Sequence, residues 1–285
     1  MLCLTVCTPP TNSQSKSDLL SHKNAIKYIA KDTVLPPHIK QITTEVFFRD
    51  RTIRTIVFPK ALETIGARAF FRCASVKEIH LPEKVTSIGV SAFAECPALT
   101  AVTLPVELRV LKDDMFNNDR RLRTVLFPEN CKLESIRSGA FFECLALESI
   151  VLPDSLLEIG SRAFYRCKEL KKVQFPNNLK QIHDSAFYFC GMDELHLPDS
   201  LEYLGESAFF KCKYLVDVEL PKSVKHIGKW CFHGCHRMKT LTIRHDPEFI
   251  GEWIINRAAT IRCYKGSIAD RYCQQNELSV EYLED

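Results

Sequence analysis

The residues best suited to chemistry in this chain are the cysteines and histidines of one short cluster near its carboxy-terminal end. Cys231 and Cys235 stand four positions apart, with His233 between them and His236 directly after Cys235. Two further histidines lie close by in the sequence: His226 and His245. Thiolate sulfur and imidazole nitrogen are common Zn²⁺ ligands, and a thiol beside a histidine can also act as a nucleophile. A zinc site or a thiol enzyme built on Cys231, His233 and Cys235 is therefore one hypothesis for function.

A repeated pattern gives the same cysteines a structural explanation. Seven cysteines each follow a phenylalanine by three positions: Cys73, Cys96, Cys144, Cys167, Cys190, Cys212 and Cys235. Cys231 stands where other units have alanine, as at Ala69, Ala92, Ala163, Ala186 and Ala208. Small apolar side chains at fixed positions are typical of a packed core. We therefore expect a ladder of buried free thiols, with His233 and His236 on the outer turn in solvent.

The sequence contains no other recognisable catalytic pattern. We find no nucleophile elbow, P-loop, dinucleotide-binding fingerprint or His-Glu-x-x-His motif. The carboxylate pair Asp113 and Asp114 lies in a degenerate part of the repeat and is interpreted as a solvated turn. We therefore predict a non-catalytic protein that needs neither a metal nor a cofactor.

The chain is organised by a unit of about 23 residues that recurs about nine times. Each unit has a proline, and the prolines are Pro36, Pro59, Pro82, Pro105, Pro128, Pro153, Pro176, Pro198 and Pro221. Each proline is followed by a phenylalanine, and we number the units one to nine by these: Phe47, Phe70, Phe93, Phe116, Phe141, Phe164, Phe187, Phe209 and Phe232. Self-similarity at such a period is typical of a solenoid, in which each unit buries its apolar side against its neighbours. We expect these phenylalanines to stack in one central column.

Each part of the unit predicts a local structure. The four residues before each proline alternate between polar and apolar, which predicts a short strand that the proline ends. Identical strands of successive units are expected to pair in parallel. Ala69, Phe70, Cys73 and Val76 recur at near-helical spacing, so we predict one or two turns of helix in that part of the unit.

The ends of the chain differ from the repeat. We predict a flexible lead-in and a possible amino-terminal cap over residues 1–31, a repeat domain over residues 32–243 and a carboxy-terminal cap over residues 244–285. In the cap, Thr260–Cys263 and residues 279–283 are predicted strands. A helix is predicted at Ile268–Asn276, with Ser267 as its N-cap. The first ten residues show no signal peptide, and the sequence assigns no cellular location.

Composition argues against some classes of partner. The formal net charge is +3 over 285 residues. No dense run of lysine and arginine occurs, so nucleic acid and anionic membranes are not expected partners. No apolar stretch reaches the length of about 18 residues that a membrane-spanning helix needs. We expect a monomer that binds another protein.

The motif I-G-x-x-A-F-x-x-C-x-x-L-x-x-V-x-L-P, as at residues 88–105 and 159–176, resembles the leucine-rich repeat of the BspA-like family. The tail Cys263-Tyr264-Lys265-Gly266-Ser267 is similar to the segment that often closes such proteins. The resemblance implies an α/β fold: a right-handed leucine-rich-repeat solenoid with short parallel strands. It also implies a non-catalytic binding protein, often a cell-surface adhesin for host or bacterial proteins. The match weakens at Lys112, and at Asp50 and Asp119, which replace the ladder cysteine.

The predicted binding surface is the outward face of the strands. Its candidate residues are Val57, His80, Thr103, Leu126, Val151, Lys172, Gln174, Glu194, His196, Asp217 and Glu219. The middle of this face is apolar and the late units are acidic, as in many protein-docking surfaces. The preferred hypothesis is a protein-binding scaffold that uses this face. A cell-surface adhesin is the first alternative, and the thiol or zinc enzyme is the second.

Overall fold

A computed structural model describes residues 17–284, and the predicted lead-in falls largely outside this range. The chain forms a solenoid in which every strand pairs in parallel with the equivalent strand of a neighbouring coil. Two rows of strands run along it. Row A consists of Asp32–Val34, Thr55–Val57, Glu78–His80, Ala101–Thr103, Thr124–Leu126, Ser149–Val151, Lys172–Gln174, Asp217–Leu220, Thr240–Ile243, Thr260–Cys263 and Ser279–Tyr282. Row A contains the strands predicted before the prolines, so that prediction is confirmed in all but one unit.

Row B was not anticipated from the sequence. Its eleven strands have two residues each: Leu19–Leu20, Gln41–Ile42, Thr64–Ile65, Ser87–Ile88, Val110–Leu111, Ser135–Ile136, Glu158–Ile159, Gln181–Ile182, Tyr203–Leu204, His226–Ile227 and Phe249–Ile250. In each strand the second residue is apolar and points toward the core. Residues 17–284 therefore contain eleven coils, because a degenerate coil stands at each end of the nine recognisable units.

The predicted helix within each unit is wrong. Residues 67–72 form turns, and the N–H groups of Arg68, Phe70 and Arg72 donate to carbonyls of the next coil instead of to carbonyls four residues back. Phe70 N–H, for example, donates to the Ala92 carbonyl at 2.8 Å. Arg68 and Arg72, two residues before and after this phenylalanine, have φ of 53° and 59°. These left-handed residues redirect the chain twice, which gives the apolar residues their helix-like spacing without a helix.

The helices lie at the two ends of the described chain. Helical turns at His22–Ala25 and Ile26–Tyr28 belong to the first coil. The carboxy-terminal helix Ile268–Asn276 is confirmed, and the Ser267 side chain accepts a hydrogen bond from the Asp270 N–H at its start. Within residues 17–284, no helix has the length and apolar character needed to cross a membrane.

The central phenylalanine column is confirmed. All nine rings are at most 1% exposed. Consecutive centroids are 4.9 to 5.8 Å apart, and the ring planes are within 24° of parallel. Burying each side chain contributes roughly 1.5–3 kcal/mol, so this column is a main source of stability.

A second aromatic column lies outside the first and was not anticipated. It is formed by the residue after the core phenylalanine in units five to nine: Phe142, Tyr165, Tyr188, Phe210 and His233. Their centroids are 4.5 to 5.8 Å apart. We call this set the outer aromatic column. Its members are half-buried, so their edges reach the surface of the turn side.

Glycine at the corner of many units is explained by crowding between coils. A Cβ on Gly89 would lie 2.2 Å from the Ala67 backbone nitrogen of the preceding coil. Real Cβ atoms do not approach other atoms so closely, and the φ of Gly89 is not in the left-handed region. Close backbone approach is therefore the reason for glycine at this corner.

Candidate functional site

The strand register of row A places the predicted surface residues side by side. His80, Thr103 and Leu126 pair in register on three neighbouring strands. Val151 pairs with Gln174 in the same way. Parallel neighbours are about 4.8 Å apart, so these residues form a continuous outward column, and the residues two positions earlier form a second one beside it.

Most predicted residues lie on row A strands and point outward. Val57, Leu126 and Val151 are 57%, 53% and 60% exposed. His80, Lys172, Gln174, Asp217 and Glu219 are exposed, and Thr103 is half-exposed. The degenerate first coil adds Val34, which is 64% exposed and pairs in register with Val57. Val34 was missed because its coil lacks the full motif.

The apolar centre of row A borders a shallow depression. Leu126 and Val151 line a space of about 690 Å³, together with Glu129 and Asn130. The last two belong to the only unit with two extra residues between its proline and its phenylalanine, Pro128 and Phe141. The insertion therefore adds a loop to the edge of the apolar centre. Exposed large apolar side chains beside a polar rim are typical of protein-binding surfaces.

The late part of row A holds a larger depression of about 1290 Å³. Glu194, His196, Asp217 and Glu219 all line it. Its charge is more mixed than the sequence suggested. Glu219 accepts from Arg244 at 2.9 Å, and Glu281 of the final strand accepts from Arg262 at 3.1 Å. The arginines come from outside the recognisable units, so the repeat alignment did not include them.

One expectation about this end is wrong. Residues 194–196 were predicted to form a strand, but no regular strand forms there. Glu194 and His196 are nevertheless exposed, and their side chains are 3.7 Å apart. Thr242, which continues the outward column of row A beyond Glu219, is only 4% exposed. It pairs in register between Glu219 and Arg262, whose longer side chains flank it.

The cysteine ladder is confirmed, and each thiol has a partner that the sequence did not reveal. The sulfur of every ladder cysteine donates to the carbonyl of the core phenylalanine in the preceding unit. The seven distances are 3.1 to 3.3 Å. Burial raises the pKa of Cys73 and Cys167 to about 12. These thiols therefore act as buried hydrogen-bond donors, and all eleven cysteines of residues 17–284 are free.

The cluster at Cys231 does not assemble a shared site. Cys231 and Cys235 are at most 1% exposed, and burial raises the pKa of Cys235 to about 12. His233 stacks on Phe210 in the outer aromatic column, with 5.8 Å between centroids, while His236 is exposed. Among residues 17–284 no group of three or more histidine, cysteine or acidic side chains is arranged to hold a metal ion.

Asp119 replaces a ladder cysteine and is the most unusual buried group. It is fully buried, and its Oδ1 accepts from the Cys96 N–H at 2.6 Å. Its Oδ2 has no hydrogen-bond partner among the described residues. Burial raises the pKa of this carboxyl well above its usual range. Burial therefore favours the neutral form of this carboxyl inside an otherwise apolar ladder.

The parallel strand rows, the stacked core and the exposed row A define a repeat scaffold of the leucine-rich type. The model of the BspA-type leucine-rich repeat region matches residues 27–135 and 134–262, in six copies. The chain belongs to this family, and its members are generally non-catalytic. A search of curated proteins gave no match.

Several solved structures are similar to this chain. A leucine-rich repeat protein from Bacteroides ovatus is 26% identical, with 88% of this chain and 77% of that chain covered and a TM-score of 0.48. A leucine-rich cell surface protein from Faecalibacterium prausnitzii is 21% identical, with 88% and 87% covered and a TM-score of 0.44. The pneumococcal vaccine antigen PcpA is 20% identical, with 88% and 79% covered and a TM-score of 0.45.

Proposed function

We propose that this protein is a binding scaffold for another protein and that the outward face of row A is its contact surface. The observation that carries the proposal is the exposed apolar centre formed by Leu126 and Val151, which are 53% and 60% exposed and line one depression. A row of parallel strands holds these side chains rigidly, so little conformational entropy is lost when a partner binds. The mixed charges of the late units then supply orientation and specificity.

The two depressions divide the surface into two kinds of contact. The space beside Leu126 and Val151 suits an apolar side chain of the partner. The space beside Glu194, Asp217 and Glu219 suits polar or basic side chains. Apolar anchors usually contribute most of the affinity, while exposed charges mainly affect association rate and partner choice.

The experiment uses the full chain as bait for quantitative capture of proteins from an extract of its source cells. The test bait carries Leu126→Asp and Val151→Asp. The control bait carries Val90→Asp and Leu157→Asp, which change exposed apolar residues outside row A and add the same charge. A partner retained by the wild type and the control, but lost by the test bait, supports the proposal. Equal capture by all three baits contradicts it.

A second variant tests the acidic end. Glu194→Lys, Asp217→Lys and Glu219→Lys together reverse its charge, and we expect weaker binding of the purified partner with an unchanged thermal melt. Unaltered affinity would show that the acidic end is not part of the contact surface. The adhesin alternative uses the same face but requires display on the cell, so protease treatment of intact cells distinguishes it from an intracellular scaffold.

A further inference from the structure

A second surface outside row A has the features of a binding site. The seventh unit is one residue shorter than its neighbours in the turn after its ladder cysteine, where Cys190, Gly191 and Met192 replace a run of four. A space of about 450 Å³ opens there on the turn side of the solenoid. We call it the turn notch. Its lining residues are Tyr165, Arg166, Tyr188, Phe189, Lys211, Lys213 and His236.

The missing residue explains the notch. Met192 takes the core position that leucine fills in the sixth and eighth units, and it is fully buried. Gly191 must then pass so close to the sixth coil that a Cβ there would lie 2.3 Å from the Lys168 carbonyl oxygen. No side chain projects from the seventh coil at this point, although Lys168 and Lys213 project on either side.

Phe189 lies in the notch in an unfavourable backbone conformation. Its φ is 58°, a left-handed value that bulky residues rarely adopt. The other eight units have arginine, glutamate, asparagine, lysine or glycine at this position. The ring is half-buried, and Lys213 Nζ and Lys168 Nζ lie 4.6 and 5.4 Å from its centroid. The left-handed conformation recurs at this position in all nine units, so the unusual feature of the seventh unit is the aromatic side chain.

The charges around Phe189 are cationic. Lys168, Lys211 and Lys213 form no ion pair among the described residues, whereas Arg166 pairs with Glu143 at 3.1 Å. His236 adds an exposed imidazole at the edge of the notch. Lys211 and Lys213 line the notch, and Lys168 lies beside it over the Phe189 ring, so an anionic partner would relieve the repulsion among these ammonium groups.

The aromatic rings of the notch leave edges rather than faces for a ligand. Tyr188 stacks between Tyr165 and Phe210, with centroids 4.5 and 5.0 Å away. A nucleobase normally stacks on a free aromatic face, so this arrangement disfavours single-stranded nucleic acid. An apolar side chain can instead pack against the Phe189 edge, with carboxylates beside the lysines.

We propose that the turn notch binds an acidic peptide segment of a partner protein, in which one apolar residue is flanked by aspartate or glutamate. The apolar residue contacts Phe189, and the carboxylates pair with Lys168, Lys211 and Lys213. This site is independent of row A, because its lining residues lie on the turn side. One molecule can therefore bind two partners, or two segments of one partner.

The test measures fluorescence anisotropy of a labelled peptide with a central phenylalanine between two pairs of glutamates, using the full chain at low ionic strength. A second peptide replaces the phenylalanine with serine at the same charge. We expect the first peptide to bind about tenfold more tightly than the second, with affinity falling as salt is added. Equal binding of the two peptides would overturn the proposal, since only general charge attraction would remain.

Matched variants locate the site. Lys211→Glu with Lys213→Glu should weaken peptide binding at least about tenfold. Lys60→Glu with Lys84→Glu, an equal charge change on exposed lysines far along the chain, should leave it near the wild-type value. Similar losses in both variants would contradict a local site.

The variant Phe189→Asn tests whether Phe189 serves peptide binding or the stability of the fold. Asparagine tolerates left-handed φ, so we expect the melting temperature to hold or rise while peptide affinity falls. A lower melting temperature with unchanged affinity would show that Phe189 is structural and would overturn the proposal. An oligonucleotide or a phosphatidylserine vesicle that binds more tightly than the peptide, and loses this binding in the lysine variant, would overturn the peptide assignment.

Discussion

The seventh unit is one residue shorter than the sixth. Comparing the two shows which features the core keeps when the turn is shortened and which features of the surface change. Their core phenylalanines, Phe164 and Phe187, are both fully buried and stack 5.0 Å apart. The stack continues across the shorter turn to Phe209 at 5.3 Å. On the surface, however, the sixth unit has a regular row A strand, Lys172–Gln174, while residues 194–196 of the seventh have none.

The difference shows that the interior tolerates a shortened turn because the stacked column fixes only a few positions per coil. Met192 fills the core position that leucine has in the neighbouring units. Gly191 allows the shorter turn to pass close to the backbone of the sixth coil. The surface of the seventh unit borders two depressions: the late depression on row A and the notch on the turn side. Irregular units therefore create candidate binding sites without interrupting the core.

The largest predicted effect is on cysteine reactivity. We expect ladder thiols such as Cys167 and Cys190 to react with a soluble disulfide reagent at least about a thousandfold more slowly in the native protein than in denaturant. Both are at most 3% exposed, so the shortened turn should not expose Cys190. Fast native labelling of Cys190 alone would show that the seventh unit opens locally.

Truncation of a core phenylalanine should have the next largest effect, on the free energy of unfolding. Phe164→Ala and Phe187→Ala should each lower the free energy of unfolding by about 3–5 kcal/mol, because each leaves a cavity. Urea unfolding followed by circular dichroism measures both changes. A much smaller loss for Phe187→Ala would mean that the shortened unit is loosely packed.

Asp119 provides a prediction with a pH dependence. Burial raises its pKa in the folded state above the unfolded value of about 3.9, so the neutral acid fits the core and its stability contribution is lost as pH rises toward the folded pKa. Asp119→Asn should therefore stabilise the protein by about 1–3 kcal/mol at neutral pH and by less near pH 4. Thermal melts across this pH range measure the difference.

The control for Asp119 is Asp154→Asn, which changes an exposed carboxylate and should shift stability by less than about 0.5 kcal/mol at any pH. A destabilised Asp119→Asn protein at neutral pH would contradict the account of a buried, poorly satisfied carboxyl. Such a result would mean that the carboxylate has stabilising partners in solution.

A prediction of similar size concerns the shortened turn itself. Gly191→Ala should destabilise the protein by about 1–3 kcal/mol, since its Cβ would lie 2.3 Å from the Lys168 carbonyl oxygen. Lys168→Ala at the aligned position of the sixth unit should change stability by less than about 0.5 kcal/mol. Equal effects of the two substitutions would show that the seventh coil is not held close to the sixth.

The repeat pattern predicted the parts of the structure that depend on burial. The stacked phenylalanines, the buried thiols and the row A strands follow from apolar residues at fixed spacing. The turn around Phe70 was predicted as a helix, because spacing alone cannot show that its N–H groups bond to the next coil. Row B was missed because two-residue strands have no alternation to detect.

The candidate site was partly predictable for the same reason. Outward positions such as Leu126 follow from strand alternation, so their exposure could be expected. The pairing of Arg244 with Glu219 depends on the fold of the carboxy-terminal end, where the repeat pattern stops. The turn notch depends on a single missing residue at Gly191, whose effect on neighbouring side chains appears only in three dimensions.

The central claim is that one aromatic column runs unbroken through regular and irregular units alike, and double-mutant cycles test it most directly. Phe→Leu changes at Phe164, Phe187 and Phe209, and at the distant positions Phe70 and Phe232, are combined in pairs, and the free energy of unfolding is measured in urea. We expect a coupling of about 0.5–1.5 kcal/mol for both adjacent pairs, Phe164 with Phe187 and Phe187 with Phe209, and about zero for the distant pair Phe70 and Phe232. Coupling that is absent on either side of Phe187 would contradict the claim.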